Sequence, residues 1–518
     1  MKLDHHILAV VEPAIRPTEI KLADLGEKEG GTTKQTKNIA SLEPMLKIGP
    51  YNFNATDVDF CRLTLSGKTP MFEALLIDSK GLFDSEFMPR GGDFVTVFMN
   101  SRNNDTFKSI HMDFDLYDVS MPKENQFGPT TIYLKGKAKI PNLIAELCKH
   151  YEDGKSIEHL ELIARELKLG FATNITDTDD KQLRIQAWQN YVTFIDEVVS
   201  SSFVSSESFT TWYIDQFYYL TYVDINRILD SPNPPPEEMQ KNFAALQASI
   251  AENKETPEDA DNIEVPLMLS NETTFKPTNM FIHEYKLVNN AARVSEKNGY
   301  SRKIAFYDDN GDDGSKYNEI VIEPFVSKSA TEADRPLRGS IADKEDRSTT
   351  EVKHKWMGRQ NAGEDGLGNV HPRALYSKLL DHQNQEELQK MKLIVKLNSF
   401  NPSIYKYQKI PVMIYDIDPR TTKMKAELKE LATDAGATND TLVAKNSEAA
   451  KNATVKAEEG PNSVQNHFLT GYYVIENIDY VYSAETRKMV QELTLIRREW
   501  PGKVFDLGLK RKNEESAG

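Results

Sequence analysis

The feature that most constrains the fold of this chain is a series of short runs in which apolar and polar residues alternate. Each run ends at a glycine, proline, asparagine or aspartate. Alternation with a period of two predicts half-buried β-strands. Before Ile140 four such runs follow one another, starting at Met71, Asp93, Ile110 and Thr131. Several strands at this spacing predict a small barrel or sandwich.

The hydrophobic period changes after Pro141. Three helices are predicted from apolar residues at helical spacing: one carrying Ile144, Leu147, Cys148 and Tyr151, one capped by Ser156 and ended by Gly170, and one from about Gln182 through Trp188 to Val199. Two aromatic runs on either side of Asp215 and Gln216 then alternate, which predicts a hairpin. Residues 141–230 are therefore predicted to form a small α+β unit.

The second half of the chain returns to strand-like runs after a proline-rich linker. Such runs begin at Thr278, Glu319, Lys392 and Gln408. The last one, Leu469–Gly502, alternates, turns at about Ser483, and alternates again, so it predicts a long hairpin. Leu493 and Leu495 then share its core face, whereas Glu492 and Thr494 point to the opposite face.

The net charge and the two cysteines exclude some classes of function. The formal net charge of −16 argues against binding to a phosphate backbone, which requires clustered lysine and arginine. Cys61 and Cys148 lack the spacing of a metal site, and we predict that both are buried thiols. No signal peptide or membrane-spanning segment is expected, so synthesis in the cytosol without membrane insertion is predicted.

One acidic stretch has the outline of a calcium loop. Its sequence, DDNGDDGSKYNE, supplies the candidate ligands Asp308, Asn310, Asp312 and Glu319. Its sixth place, where the loop needs glycine, is Asp313, and strand-like runs flank it where helices are required. We therefore favour an acidic hairpin turn over a metal site.

The sequence patterns that could indicate a catalytic site are weaker than the pattern of the calcium loop. Asp179 and Asp180 are adjacent carboxylates, but acids between a helix end and a helix start usually act as caps and turn residues. The aromatic stretch around Trp212 fits strand packing better than a sugar-binding platform. No phosphate-binding glycine loop or nucleophile elbow is present in the sequence. We predict no enzymatic activity and no cofactor.

Three stretches resemble a known family. They are IARELKLGFATN from Ile163, followed by DTDDKQ; SFTTWYIDQFYYLTYVDINRIL from Ser208; and FLTGYYVIENIDYVYS with QELTLIRREWPG at the end. They are similar to baseplate hub proteins of contractile-tailed bacteriophages, whose fold is related to the N-terminal part of the secretion-system spike protein VgrG. The resemblance covers about residues 50–230 and 265–505.

The resemblance implies a fold and a set of partners. The implied fold class is α+β, mainly β, with two tail-tube-like antiparallel β-barrel domains joined by a small α+β domain. The expected domains are an N-terminal extension (1–50), a first tube-like barrel (51–140), the α+β spacer (141–230), an acidic linker (231–263), a second barrel (264–505) with insertions at about 327–367 and 421–464, and a polar tail (506–518).

The implied function is structural. A homotrimer would form a pseudo-sixfold ring that joins the tail tube to the central spike protein, contacts other baseplate proteins, and lets DNA pass during genome ejection without binding it specifically. The expected location is the tail baseplate of the virion, after assembly in the host cytoplasm. The alternative is a tail-associated cell-wall-degrading or glycan-binding protein, with Asp179, Asp180 and the region of Trp212 as its site.

Overall fold

The chain divides into two compact units that draw on separate stretches of sequence. In the computed structural model, the first unit comprises Met1–Asn233, His283–Lys409 and Tyr473–Gly502, and the second comprises Pro234–Ile282, Ile410–Tyr472 and Lys503–Gly518. The residues that the structure describes are 6–18, 43–53, 56–78, 89–100, 109–121, 130–205, 207–231, 267–269, 282–290, 302–308, 316–322, 334–336, 353–356, 381, 385, 388–397, 404–417, 463–466, 468–486 and 488–501.

The described part of the first 140 residues is entirely strand and connection. Its strands are β1 Leu8–Val11, β2 Glu43–Ile48, β3 Tyr51–Phe53, β4 Val58–Thr64, β5 Met71–Asp78, β6 Phe94–Asn100, β7 Ile110–Ser120 and β8 Thr130–Ala138. The four predicted runs are β5 to β8, and β5 and β8 alternate buried and half-buried residues as the sequence pattern requires. The strand predictions for this region are confirmed.

Residues 147–229 mix helices and strands. The elements are β9 Leu147–Gly154, α1 Ser156–Glu166, β10 Gly170–Thr173, β11 Gln182–Gln189, α2 Tyr191–Ser201, β12 Thr210–Ile214, β13 Tyr219–Asp224 and α3 Ile225–Leu229. The predicted aromatic hairpin is β12–β13, and its turn is held by the Asp215 carboxylate, which accepts from the backbone N–H of Phe217 and Tyr219. No helix in the described segments is long and apolar enough to cross a bilayer.

Of the three predicted helices, the one after Ser156 is α1, the third is confirmed only in its second half as α2 Tyr191–Ser201, and the first is wrong. The segment that carries Leu147, Cys148 and Tyr151 is strand β9, and Gln182–Gln189, predicted as the start of a helix, is strand β11, which pairs with β9. Helical spacing of apolar residues was overridden by this long-range pairing. The pattern misled because β11 buries Gln182, Arg184 and Gln186 and leaves Ile185 exposed, the reverse of the usual alternation.

Cys148 is also misplaced by the sequence pattern. The predicted helix turned its side chain inward, but in β9 it is exposed, so the prediction of a buried thiol fails there. Cys61 is fully buried in β4, as predicted, and its burial raises the pKa of the thiol.

The second half of the chain supplies the remaining strands. They are β14 Leu267–Leu269, β15 Ile282–Asn289, β16 Arg302–Asp308, β17 Lys316–Ile322, β18 Asp334–Pro336, β19 Lys353–Trp356, β20 Met391–Leu397, β21 Lys409–Ile417, β22 Ser463–Gln465, β23 Gly471–Ser483, β24 Lys488–Ile496 and β25 Glu499–Pro501. The predicted C-terminal hairpin is β23–β24. Most of the linker, the insertion at 421–464 and the polar tail lie outside the described residues.

One continuous sheet organises the first unit. Its strand order is β15-β20-β24-β23-β4-β5-β8-β7-β6-β2-β3. In the second unit, β21 pairs with β14 in parallel and with β22 in antiparallel fashion. The described strands form an open order rather than closed barrels, so the mainly β, α+β class is confirmed, whereas the division into two barrels stays a prediction.

The α+β spacer is built in layers within the first unit. A four-stranded sheet has the order β1-β10-β13-β12, and β9 with β11 forms a separate two-stranded ribbon. Helix α1 contacts both β9 and β10, and α2 contacts both β11 and β12. The two helices therefore pack between the ribbon and the four-stranded sheet.

Candidate functional site

The pairing of β23 with β4, here called the seam, joins the C-terminal hairpin to the N-terminal strands. Tyr480 lies opposite Leu63 there, and both side chains are fully buried. Beside them the Asp479 carboxylate accepts hydrogen bonds from the Arg62 guanidinium at 2.7 Å and from the Thr64 hydroxyl. The hydrogen bond to Asp479 raises the pKa of Arg62. The seam thus has an apolar inner side and a charged outer side.

Strand β24, next to the seam, shows which face of the sheet is core. Leu493 and Leu495 are fully buried, whereas Glu492 and Thr494 are half-buried on the opposite face. This confirms the predicted division of the hairpin into a core face and an outer face. Truncation of either leucine would therefore remove packing contacts in the core. The side chains of Glu492 and Thr494 instead face solvent or a lumen.

The outer face carries charges of both signs across neighbouring strands. Glu492 on β24 lies between Asp479 of β23 and Lys396 of β20 in the strand register, and the Lys396 ammonium lies 2.9 Å from the Glu284 carboxylate. On the other side of the seam, Glu73 lies opposite Arg62. These residues form a mixed surface rather than the basic groove that would bind a DNA backbone.

A cleft of about 520 Å³ lies in the first unit. Its lining includes Lys68, Trp212, Lys406, Tyr407 and Glu476. The Trp212 ring is buried, its indole N–H donates to the Asp196 carboxylate at 2.7 Å, and the Lys68 ammonium lies 5.0 Å from the ring centroid. Trp212 is therefore a packed core residue at the edge of the cleft, not an open platform for a sugar ring.

Lys406 is the most unusual charge in this cleft. Its ammonium is buried and donates to the carbonyl oxygens of Leu65, Ser66 and Gly67 at 3.1, 3.4 and 3.2 Å. Burial lowers the pKa of Lys406 to about 8. The same cause lowers the pKa of Lys68. Because all three acceptors belong to the β4–β5 loop, Lys406 fixes that loop in place.

The two adjacent aspartates proposed for the enzymatic alternative differ in burial. Asp180 is buried, and its carboxylate accepts from the backbone N–H of Ser156 at 3.0 Å and of Phe203 at 2.9 Å. Ser156 is the first residue of α1, so Asp180 stabilises that helix start. Asp179 is exposed, and its backbone N–H donates to the Phe203 carbonyl. The buried carboxylate is thus occupied by backbone donors, as expected of a capping residue.

Two of the four candidate metal ligands lie on paired strands. Asp308 ends β16 and Glu319 lies in β17, and these strands pair antiparallel with Asp308 opposite Lys316. Asn310 and Asp312 lie outside the described residues. The described part of the chain contains no group of three or more histidine, cysteine or acidic side chains placed to hold a metal ion.

The sequence did not predict the side-chain contacts that hold the seam together or those that Lys406 makes in the cleft. Arg62 and Asp479 are separated by 417 positions, and Lys406 by more than 300 from the carbonyls it contacts. No local pattern identifies such partners. The one available signal was the alternation of the terminal hairpin, which identified its core face but not the strand that pairs with it.

Comparison with known proteins gives distant structural likenesses. No family model and no curated protein matches the sequence. The fold is similar to the 43 kDa tail protein of prophage MuSo2 from Shewanella oneidensis, at 9% identity and a TM-score of 0.47, covering 88% of this chain and 99% of that one.

Two further solved structures show similar likenesses. A tail protein from Neisseria meningitidis is 9% identical, with a TM-score of 0.44 and coverage of 88% and 97%. A Francisella PdpA–VgrG complex is 8% identical, with a TM-score of 0.39, covering 88% of this chain and 58% of that one.

Proposed function

We propose that this chain is a structural, non-enzymatic subunit of a phage baseplate hub. Three copies form a ring of pseudo-sixfold symmetry that joins the tail tube to the central spike protein and contacts other baseplate proteins. The ring encloses the channel through which DNA leaves the contractile tail. The family resemblance of the terminal hairpin and of the spacer hairpin suggests this role.

The seam is the observation that carries the proposal. It joins strands from the two ends of the sequence, edge to edge, into one sheet. In the proposed hub each chain supplies the two tube-like segments that the family resemblance implies, so three chains give six segments around a threefold axis. A cyclic ring uses the same contact at each step of the rotation. The ends of the sheet order, β15 and β3, are the edges through which neighbouring copies would pair.

The charge distribution supports a channel that DNA crosses without being held. The chain is acidic overall, with a formal charge of −16, and the outer face of the sheet beside the seam mixes carboxylates with Lys396 and Arg62. Because a polyanion gains affinity from clustered cations, a mixed surface leaves it mobile. We assign this face to the channel.

The oligomeric state tests the proposal. We expect light scattering of the purified protein with its spike partner to give three times the chain mass, and negative-stain averages to show a ring with six similar lobes. A monomer that persists when the spike protein is added would refute the hub assignment.

The absence of catalysis has its own test. We expect no lysis band on a zymogram that contains cell-wall material. A band given by the unmodified protein and lost in the Asp180→Asn variant would support the wall-degrading alternative instead.

A further inference from the structure

The segment of residues 6–18, here called the strap, crosses the spacer and reaches the continuous sheet. Its strand β1 pairs antiparallel with β10 at the edge of the four-stranded sheet. After β1, the backbone N–H groups of Ala14 and Ile15 both donate to the carbonyl of Lys168 at 3.0 Å. At the far end, Thr18 contacts strand β7 through its backbone and its hydroxyl. The strap therefore bridges two sheets of the first unit.

The contact between Thr18 and β7 closes the strap. The Asp113 carboxylate is buried, and it accepts from the Thr18 N–H at 3.1 Å and from the Thr18 hydroxyl at 3.0 Å. The Thr96 hydroxyl on β6 donates to the same carboxylate at 2.7 Å. The Thr18 carbonyl lies 2.9 Å from the ring Nε2 of His111. Because β7 holds both the N–H and the carbonyl of Thr18, this residue acts as a latch.

The rest of the strap contributes little burial. Every residue of it is exposed or half-buried, and Leu8 and Val10 are more than half exposed. Ile7 packs, half-buried, against the rim of a hydrophobic cluster, and the Tyr219 hydroxyl donates to the Glu12 carboxylate. Segments with few buried apolar contacts and exposed hydrogen bonds open locally, at a free energy well below that of global unfolding. We expect the strap to open in this way.

The strap changes the character of the sheet edge. Strand β10 pairs with β13 in unbroken register, and all four residues of Gly170–Thr173 are buried. Without the strap, such a regular strand is an open template for pairing with another chain. Strand β1 is a poorer template, because it is short, has a bulge between Ala9 and Val11, and is followed by Pro13 and Pro17. The strap thus replaces an open edge with a blunted one.

The edge of β10 is shaped to receive the strap. A Cβ at Gly170 would lie 2.5 Å from the Tyr219 ring and 2.8 Å from the Val11 carbonyl oxygen. The absence of a side chain therefore lets the strap approach closely. Lys168, whose carbonyl accepts two strap amides, has a φ of 59°, a left-handed conformation that non-glycine residues seldom adopt. Both features belong to the spacer and serve the closed position of the strap.

We propose that the strap is a releasable cap on the edge of the spacer sheet. Closed, it covers β10 and is fastened to β7 through Thr18. Open, it exposes the edge of β10 for the addition of another strand and removes two donors from the Asp113 carboxylate. The inference goes beyond the proposed hub and does not depend on it, because the strap and its contacts lie within one chain.

Hydrogen exchange of the full chain tests whether the strap opens as a unit. We expect the amides of Leu8–Val11 to exchange faster than those of β13, which lies inside the same sheet. Thr18→Val keeps the backbone bond to Asp113 but removes the hydroxyl bond, so it should speed exchange in β1 roughly tenfold, although β1 lies several residues away. An effect confined to the neighbours of Thr18 would overturn the proposal.

Thr96→Val is the matched control. It removes a hydroxyl bond to the same carboxylate, but the donor lies on β6 and not on the strap. Exchange of the β1 amides should then stay within about twofold of the wild-type rate. Equal acceleration by the two variants would show that Asp113 acts through the continuous sheet, and it would overturn the assignment of Thr18 as a latch.

A peptide with the sequence of residues 6–18, labelled with fluorescein, gives an independent readout of the exposed edge. It can pair with β10 only in molecules whose own strap is open, so its apparent affinity is reduced by the open fraction. Thr18→Val should therefore lower its apparent dissociation constant roughly tenfold. A peptide of the same composition in scrambled order should not bind. Equal binding of the two peptides, no binding at millimolar concentration, or an affinity unchanged by Thr18→Val would each overturn the proposal.

Discussion

The ion pair at the seam makes a quantitative prediction about how the two ends of the chain hold together. Asp479 is 14% exposed and Arg62 is 42% exposed, and their charged groups are 2.7 Å apart. A hydrogen bond to a charged group contributes about 1.5–3 kcal/mol when shielded. Solvent around Arg62 reduces that value, so we expect a coupling free energy of about 1 kcal/mol.

A double-mutant cycle with Arg62→Met and Asp479→Ala measures this coupling. Asp479→Ala also removes the bond from Thr64, so its single effect should be larger, about 2 kcal/mol, but the cycle cancels that part. Lys396 and Glu284 provide a matched control on the same sheet, since their side chains are 39% and 59% exposed. Their coupling should stay within about 0.5 kcal/mol.

Hydrogen exchange of the β23 amides is the appropriate assay, because it reports the opening of the seam and not the unfolding of the whole chain. At about 1 M salt the screening length falls to about 3 Å, so the control coupling should vanish while part of the seam coupling remains. A seam coupling no larger than that of the exposed control pair would refute the argument that Asp479 helps to hold the two chain ends together.

Three further predictions follow from the same sheet and its cleft. Leu493→Ala should lower the free energy of unfolding by about 2–5 kcal/mol in urea titrations, whereas Thr494→Ala should change it by less than about 0.5 kcal/mol; equal effects would contradict the assignment of faces. Lys406 has a pKa of about 8 when folded and 10.5 as its ordinary value. The unfolded chain therefore binds more protons between these values, so stability should rise with pH across this window and Lys406→Met should flatten the rise. Glu492→Lys should assemble normally but slow genome ejection if this face lines the channel; wild-type ejection kinetics would argue against that assignment.

Sequence patterns predicted the strands well where one face is apolar. Strands β5 and β8 alternate cleanly, and the terminal hairpin showed its buried Leu493 and Leu495. Burial of an apolar face leaves a period-two record in the sequence. These strands could be predicted because the burial of one face is visible in the alternation of residues that are close together in the sequence.

The ribbon could not be predicted for the opposite reason. Strand β11 buries Arg184 and Gln186 by giving them hydrogen-bond partners, so its hydrophobic pattern does not report which face is inside. Its partner strand β9 was likewise hidden by a chance helical spacing that includes Tyr151, whose ring stacks on Phe194. Where polar groups are buried and apolar groups are exposed, periodicity no longer identifies the structure.

The seam also has a consequence for the order in which the protein forms. Strand β4 emerges early in synthesis, but β23, which pairs with it, follows more than 400 residues later, as the 417-residue separation of Arg62 and Asp479 shows. Until then the edge of β4 has no partner from β23, and such contacts between distant residues form slowly. Completion of the sheet therefore requires both ends of the chain. In the proposed hub, this dependence would let only subunits that carry both β4 and β23 present a finished sheet to their neighbours, because the surface that repeats around the ring exists only after the β23–β24 hairpin has docked.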